Sequence, residues 1–124
     1  MKITMKHMFA ALSLVAVAAP VAAHHSYSMF DMQRTIVLDA TVTQFRWSNP
    51  HAFIRVRADV DGREEEWSIE MTSPNNLVQE GWTRRSIKQG DKVQIYVHPL
   101  RSGAQGGAYS GIILPDGSTL GTVE

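Results

Sequence analysis

Three of the five histidines in this chain stand where their rings could bind a ligand. His24 and His25 directly follow Val21-Ala22-Ala23, whose small residues suit cleavage by a leader peptidase after Ala23. Cut there, His24 becomes the terminal residue and offers its α-amine and its ring Nδ1 to one metal ion, a chelate no internal histidine can form. An α-amine pKa of about 7.7 to 8.0 makes loss of that proton inexpensive near neutral pH. Amine and imidazole nitrogens suit copper(II) or nickel(II), and zinc less selectively. His25 offers a second ring or a backbone amide. Met29 and Met32 are thioethers of the kind that suits copper(I).

His51 closes the stretch Trp47-Ser48-Asn49-Pro50-His51 and could supply a third nitrogen if the segment carrying His24 folds back over it. Pro50 stiffens the approach to that ring, and Asn49 is placed to orient it by a hydrogen bond. The same stretch leads into Phe53, Arg55 and Arg57 at alternate positions, which with Trp47 make a surface for an anionic or planar ligand. The plainer alternative pairs Arg57 with Glu66, leaves Arg55 solvated and uses Trp47 to cap a core. His98, followed by Pro99, is a weaker candidate.

The elements that must hold these residues are mostly strands. Residues 1–23 have the form of a secretory signal, with Lys2 and Lys6, an apolar run from Met8 to Ala19, and Pro20 before the cut. The run is shorter than the roughly 20 residues a bilayer requires. No cysteine follows it for a lipid anchor, so no membrane anchor is expected after cleavage. Residues 24–34 carry no period and form an arm; residues 35–124 form one domain. Ile36, Leu38, Ala40 and Val42 alternate, then the phase slips to Phe45 and Trp47, as a bulge near Thr43-Gln44 would require. Asp61-Gly62 is a two-residue hairpin turn that sets Ile54 opposite Ile69 and Val56 opposite Trp67, facing the core, with Phe53, Arg55 and Arg57 outward.

Beyond the hairpin, Ser73-Pro74 opens a short helix that Gly81 closes, and Thr83 to Lys88 has the look of a second helical turn. Lys92 to His98 then alternates with Val93, Ile95 and Val97 inward. A glycine-rich loop leads to a last hairpin around Pro115-Asp116-Gly117. The order β-β-β-α-β-β predicts an all-β domain with a short helix, an OB-like five-stranded barrel, the rival being an open β-sandwich-like sheet with a helical insert. In such a barrel the outer face of the second and third strands is the usual ligand surface, which is where Phe53, Arg55 and Arg57 fall.

Charge and motif content narrow the function. Removing residues 1–23 takes Lys2 and Lys6 and leaves 10 basic residues against 12 acidic ones, without the basic excess that nucleic-acid binding requires. There is no cysteine nucleophile, no Gly-x-Ser-x-Gly elbow and no phosphate loop. Glu64-Glu65-Glu66 reads as a solvated strand edge.

His24-His25-Ser26, Trp47-x-Asn49-Pro50-His51, Ser73-Pro74-Asn75-x-Leu77 running to Gly81-Trp82, Gly90-Asp91 and Leu114-Pro115-Asp116-Gly117 together resemble a family of small exported bacterial proteins of unknown function. The resemblance implies a periplasmic or secreted single domain of about a hundred residues and brings no activity or cofactor with it. The expectation is a periplasmic, non-enzymatic binding module. Its partner would be a small molecule or a periplasmic protein, held at the first-loop face by Trp47, Asn49, His51, Phe53, Arg55 and Arg57. The alternative is a copper-binding protein using His24, His25 and His51, and a second alternative is a copper-dependent oxidase with the same ligands.

Overall fold

The structure is a computed structural model that describes residues 25–124, with side chains from Tyr27 onward. Residues 1–24, which include the expected signal segment and His24, lie outside the described residues, as do the side chains of His25 and Ser26. A short helix α1 (His25–Ser28) precedes strands β1 (Ile36–Arg46), β2 (Phe53–Val60) and β3 (Arg63–Glu70). Helix α2 (Pro74–Gln79) and strands β4 (Lys92–Pro99), β5 (Gly106–Ile113) and β6 (Thr119–Gly121) complete the order.

β1 lies between β2 and β4, and the sheet runs β3-β2-β1-β4-β5 before closing on itself. Closure comes from a parallel pairing of β3 with β5, Ser68 with Gly106 through Glu70 with Ala108. The result is a five-stranded barrel in the OB arrangement, with β6 added as a short edge on β5. Closure depends on close backbone approach. A Cβ on Gly107 would stand 2.3 Å from Val97 Cγ1 and 2.4 Å from the His98 carbonyl oxygen, so only glycine lets β5 lie against β4 at that point.

Local chemistry explains the other elements. Asp61 and Gly62 adopt φ of 53° and 77°, and the hairpin they make pairs Ile54 with Ile69 and Val56 with Trp67. The β1–β2 register shifts between Val42 and Gln44, which is the expected bulge; it brings Phe45 to pack against the core. Ser73 caps α2 by accepting a hydrogen bond from the Asn76 amide, Pro74 fills the first turn, and Gly81 leaves the helix at φ 95°. Ile54, Ile69, Leu77, Ile95 and Ile112 are fully buried, with Trp82 sealed among them.

Two expectations, for Trp67 and for Thr83 to Lys88, need correction, whereas the arm is ordered as its reading allows. Trp67 is only partly buried, because β5 pairs with β3 from Ser68 onward and the sheet stands open at Trp67; its indole N–H donates to Glu65 Oε2 at 3.0 Å. Thr83 to Lys88 forms turns, not helix, around the buried Ile87. The arm is tied down: Phe30 is buried and bridges to Leu100, the Asp31 amide donates to the Pro99 carbonyl, and the Arg101 amide donates to the Met29 carbonyl.

Candidate functional site

The arm, the loop before β2, the end of β3 and strand β5 border a cavity of about 310 Å³ lined by Tyr27, Phe30, His51, Glu70, Glu80 and Tyr109, among others. The loop before β2 places His51, where the Ser48 hydroxyl donates to the His51 carbonyl at 2.9 Å. The His51 ring Nδ1 lies 2.9 Å from the Met71 carbonyl oxygen. A carbonyl can only accept, so this contact assigns the proton to Nδ1 and leaves the lone pair of the neutral ring on Nε2. Glu70 Oε1 stands 3.6 Å from the same Nδ1.

Tyr109, on β5, forms the opposite wall. Its hydroxyl accepts the Trp82 indole N–H at 3.3 Å, and the two rings meet edge to face with centroids 5.5 Å apart. Burial pushes the phenol pKa well up and the nearby Glu80 carboxylate adds to the rise, while the Trp82 bond opposes it. The hydroxyl therefore keeps its proton. Gly121, at φ 71°, passes so close that a Cβ there would lie 2.5 Å from that hydroxyl.

The lining holds two carboxylates and an imidazole, and neither lysine nor arginine. Three aromatic rings share it. Such a wall favours a positive charge, through the carboxylates directly and through the negative ring faces of the aromatics. A wider groove of about 670 Å³ near Asp39, Arg57, Glu64 and Lys92 mixes both signs, and Arg57 there lies 3.8 Å from Glu64.

The structure divides the residues expected to share one face. His51 belongs to the cavity. Phe53 and Arg55 border a separate hollow of about 90 Å³ with Gln44, Arg46 and Ser68. Arg57 pairs with Glu64, not with the Glu66 it faces across the strands. Trp47 is partly buried and sits edge to face on Phe45, and Asn49, joined to Pro50 by a cis peptide bond, is exposed. His98 lies apart from His51, its Nδ1 3.0 Å from the Arg34 carbonyl oxygen. Among the described residues no three of His, Cys, Asp and Glu come together to hold a metal ion. His24 and the His25 ring lie outside them, although α1 begins at His25 and its Tyr27 lines the cavity with His51.

Sequence reasoning missed Glu70, Glu80, Tyr27 and Tyr109. The alternation of β3 put Glu70 on the outer face beside Phe53, which was the available signal. Nothing local announces Tyr109, because its place depends on β5 returning to β3.

A protein-family model described as "Family of unknown function (DUF6152)" matches residues 11–109. No curated protein and no solved structure matches the chain.

Proposed function

The chain belongs to this family of unknown function, and from that premise we propose that it is an exported binding module that takes a small organic cation into the cavity between the arm and the barrel. The observation that carries the proposal is the meeting of Glu70 and Glu80 with the rings of Tyr27, Phe30 and Tyr109 in a lining without lysine or arginine. A cation about 4 Å from one carboxylate gains roughly 4 kcal/mol of gross attraction at an effective dielectric near 20, before desolvation is subtracted. A ring face adds about 0.5 to 2 kcal/mol. A neutral apolar guest would desolvate Glu70 without compensation. Export is supported by the basic start, the apolar run and the small residues at Ala23.

Calorimetric titration with choline, putrescine and the neutral choline analogue 3,3-dimethylbutan-1-ol tests the proposal. One of the two cations should bind saturably, the neutral analogue should not, and Glu70→Gln should weaken the cation at least ~10-fold, the worth of a lost charge-assisted contact. Equal heats from the neutral analogue, or a Glu70→Gln variant that binds as wild type, would overturn it.

A second reading is favoured by one observation: α1 starts at His25 beside the cavity that contains His51, whose Nε2 keeps its lone pair. A mature chain starting at His24 would then hold copper(II) through the His24 amine and ring, with His51 as a third nitrogen and His25 beside them. Copper(II) titrated into wild type, His51→Ala, His98→Ala and a form with one alanine before His24 separates the cases. Only His51→Ala and the extended form should lose affinity; equal affinity in all four removes the copper reading.

A further inference from the structure

We propose a second site of opposite charge, on the outer face of β1 and β2, where Arg46 and Arg55 bind the oxyanion of a small carboxylate or phosphate. Outward residues of the three strands form rows: Arg46 beside Phe53 beside Glu70, then Gln44 beside Arg55 beside Ser68. The bulge between Val42 and Gln44 sets this arrangement, since it turns Gln44 and Arg46 outward while Phe45 packs inward. Arg46, Phe53, Arg55, Gln44 and Ser68 surround a hollow of about 90 Å³. At about 30 Å³ per water, that is room for one compact group such as a carboxylate or a phosphate, and not for a polymer.

Three arginines lie on this face and they are not equivalent. Arg57 has its carboxylate in Glu64. Arg46 and Arg55 make no ion pair among the described residues. The carboxylates nearest in register do not pair with them: Glu70 lies against His51, and Glu66, although it borders a neighbouring hollow with Arg55, stands beyond ion-pair distance of it. Arg46 is also held in place, its guanidinium carbon 5.0 Å above the centre of the Phe53 ring. A guanidinium held over a ring can still present its in-plane N–H edge, the edge that grips two oxygens at once. Arg55 supplies a second fork from the adjacent row, and the Ser68 hydroxyl and Gln44 amide are neutral donors at the same hollow.

The hollow shares no lining residue with the cation cavity, although Glu70 of that cavity pairs with Phe53 across the strands. Sodium phosphate, sodium acetate and phenyl phosphate titrated into the ¹⁵N-labelled protein at low ionic strength, against sodium chloride as control, test it. Saturable amide shifts should centre on Gln44, Arg46, Phe53, Arg55 and Ser68. Arg46→Gln and Arg55→Gln should each weaken the anion at least ~10-fold, as expected for a lost charge-assisted bond, whereas Arg57→Gln should change it less than about twofold. Phenyl phosphate binding more tightly than inorganic phosphate assigns the oxyanion to a larger molecule; equal binding assigns it to the free ion. All three arginines are exposed, so thermal melts should show the variants folded. Shifts that never saturate, or equal losses from all three variants, would overturn the site.

Discussion

Tyr109 shows how one side chain can serve the barrel and the cavity together. Its ring joins the core's margin through Trp82, and its hydroxyl stands at the cavity wall. Burial favours the neutral phenol, so the folded pKa lies above the value of about 10 for a free tyrosine. The sign follows from linkage. Stabilisation from the buried neutral phenol is complete below about pH 10 and is lost as pH climbs through the folded value. Melting temperatures of wild type and Tyr109→Phe should therefore differ by a constant amount up to about pH 9.5, then move in favour of the phenylalanine variant. A difference that stays flat to pH 11.5 would mean the phenol is free to ionise in the fold. Gly121 is the companion test. With φ of 71° and a would-be Cβ 2.4 Å from the Ser110 carbonyl oxygen, Gly121→Ala should cost more than Gly117→Ala, where φ is 85° but the space is open. Strained backbone alone accounts for about 1 to 2 kcal/mol at either position. Denaturant melts rank them, and equal costs would show that Gly121 is not closely approached.

At the scale of elements, the hairpin of β2 and β3 carries the clearest energetic expectation. Ile54 and Ile69 face each other, fully buried, so replacing either with alanine should cost about 2 to 5 kcal/mol. Arg55, exposed between them on the other face, should cost less than about 0.5 kcal/mol when changed to alanine. The reverse ranking in chemical denaturation would mean a register slipped by one residue. This hairpin was readable in advance because Asp61-Gly62 fixes the turn and one register sorts apolar from polar pairs. The bulge was readable because the apolar phase slips there. Closure was not fully readable, since the parallel pairing of β3 with β5 joins segments far apart in sequence through a few glycines. That is why Trp67, just beyond the last closed pair, was expected in the core and lies at its margin. It is also why Tyr109 and Glu70 were not expected across one cavity from each other. His51 was singled out by its type and its place before β2; its ring stands 3.6 Å from Glu70, the partner of Phe53 across the strands, but lines a different hollow from Phe53 and Arg55.

For the whole molecule, the arm is the element on which the proposed export and the proposed binding would meet. Cleavage after Ala23 would leave a short segment ahead of the barrel, and that segment supplies Tyr27 and Phe30 to the cavity. Phe30 anchors it: the ring is 4% exposed, and burying a side chain of that size stabilises by roughly 1.5 to 3 kcal/mol. Around it the backbone is held by the Asp31 amide on the Pro99 carbonyl and the Arg101 amide on the Met29 carbonyl, with the Arg101 side chain on the Ser28 carbonyl. These few bonds lie outside the barrel ladders, so the arm should open locally without unfolding the sheet. Phe30→Ala separates the two behaviours. The Asp31 and Arg101 amides should lose hydrogen-exchange protection, while the Ile54, Ile69 and Ile95 amides keep theirs. If the arm forms one wall of the cation site, choline or putrescine affinity should fall in step with that lost protection. An arm released by Phe30→Ala with cation binding unchanged would place the site on the barrel alone, with Glu70 and Tyr109 sufficient and Tyr27 a bystander.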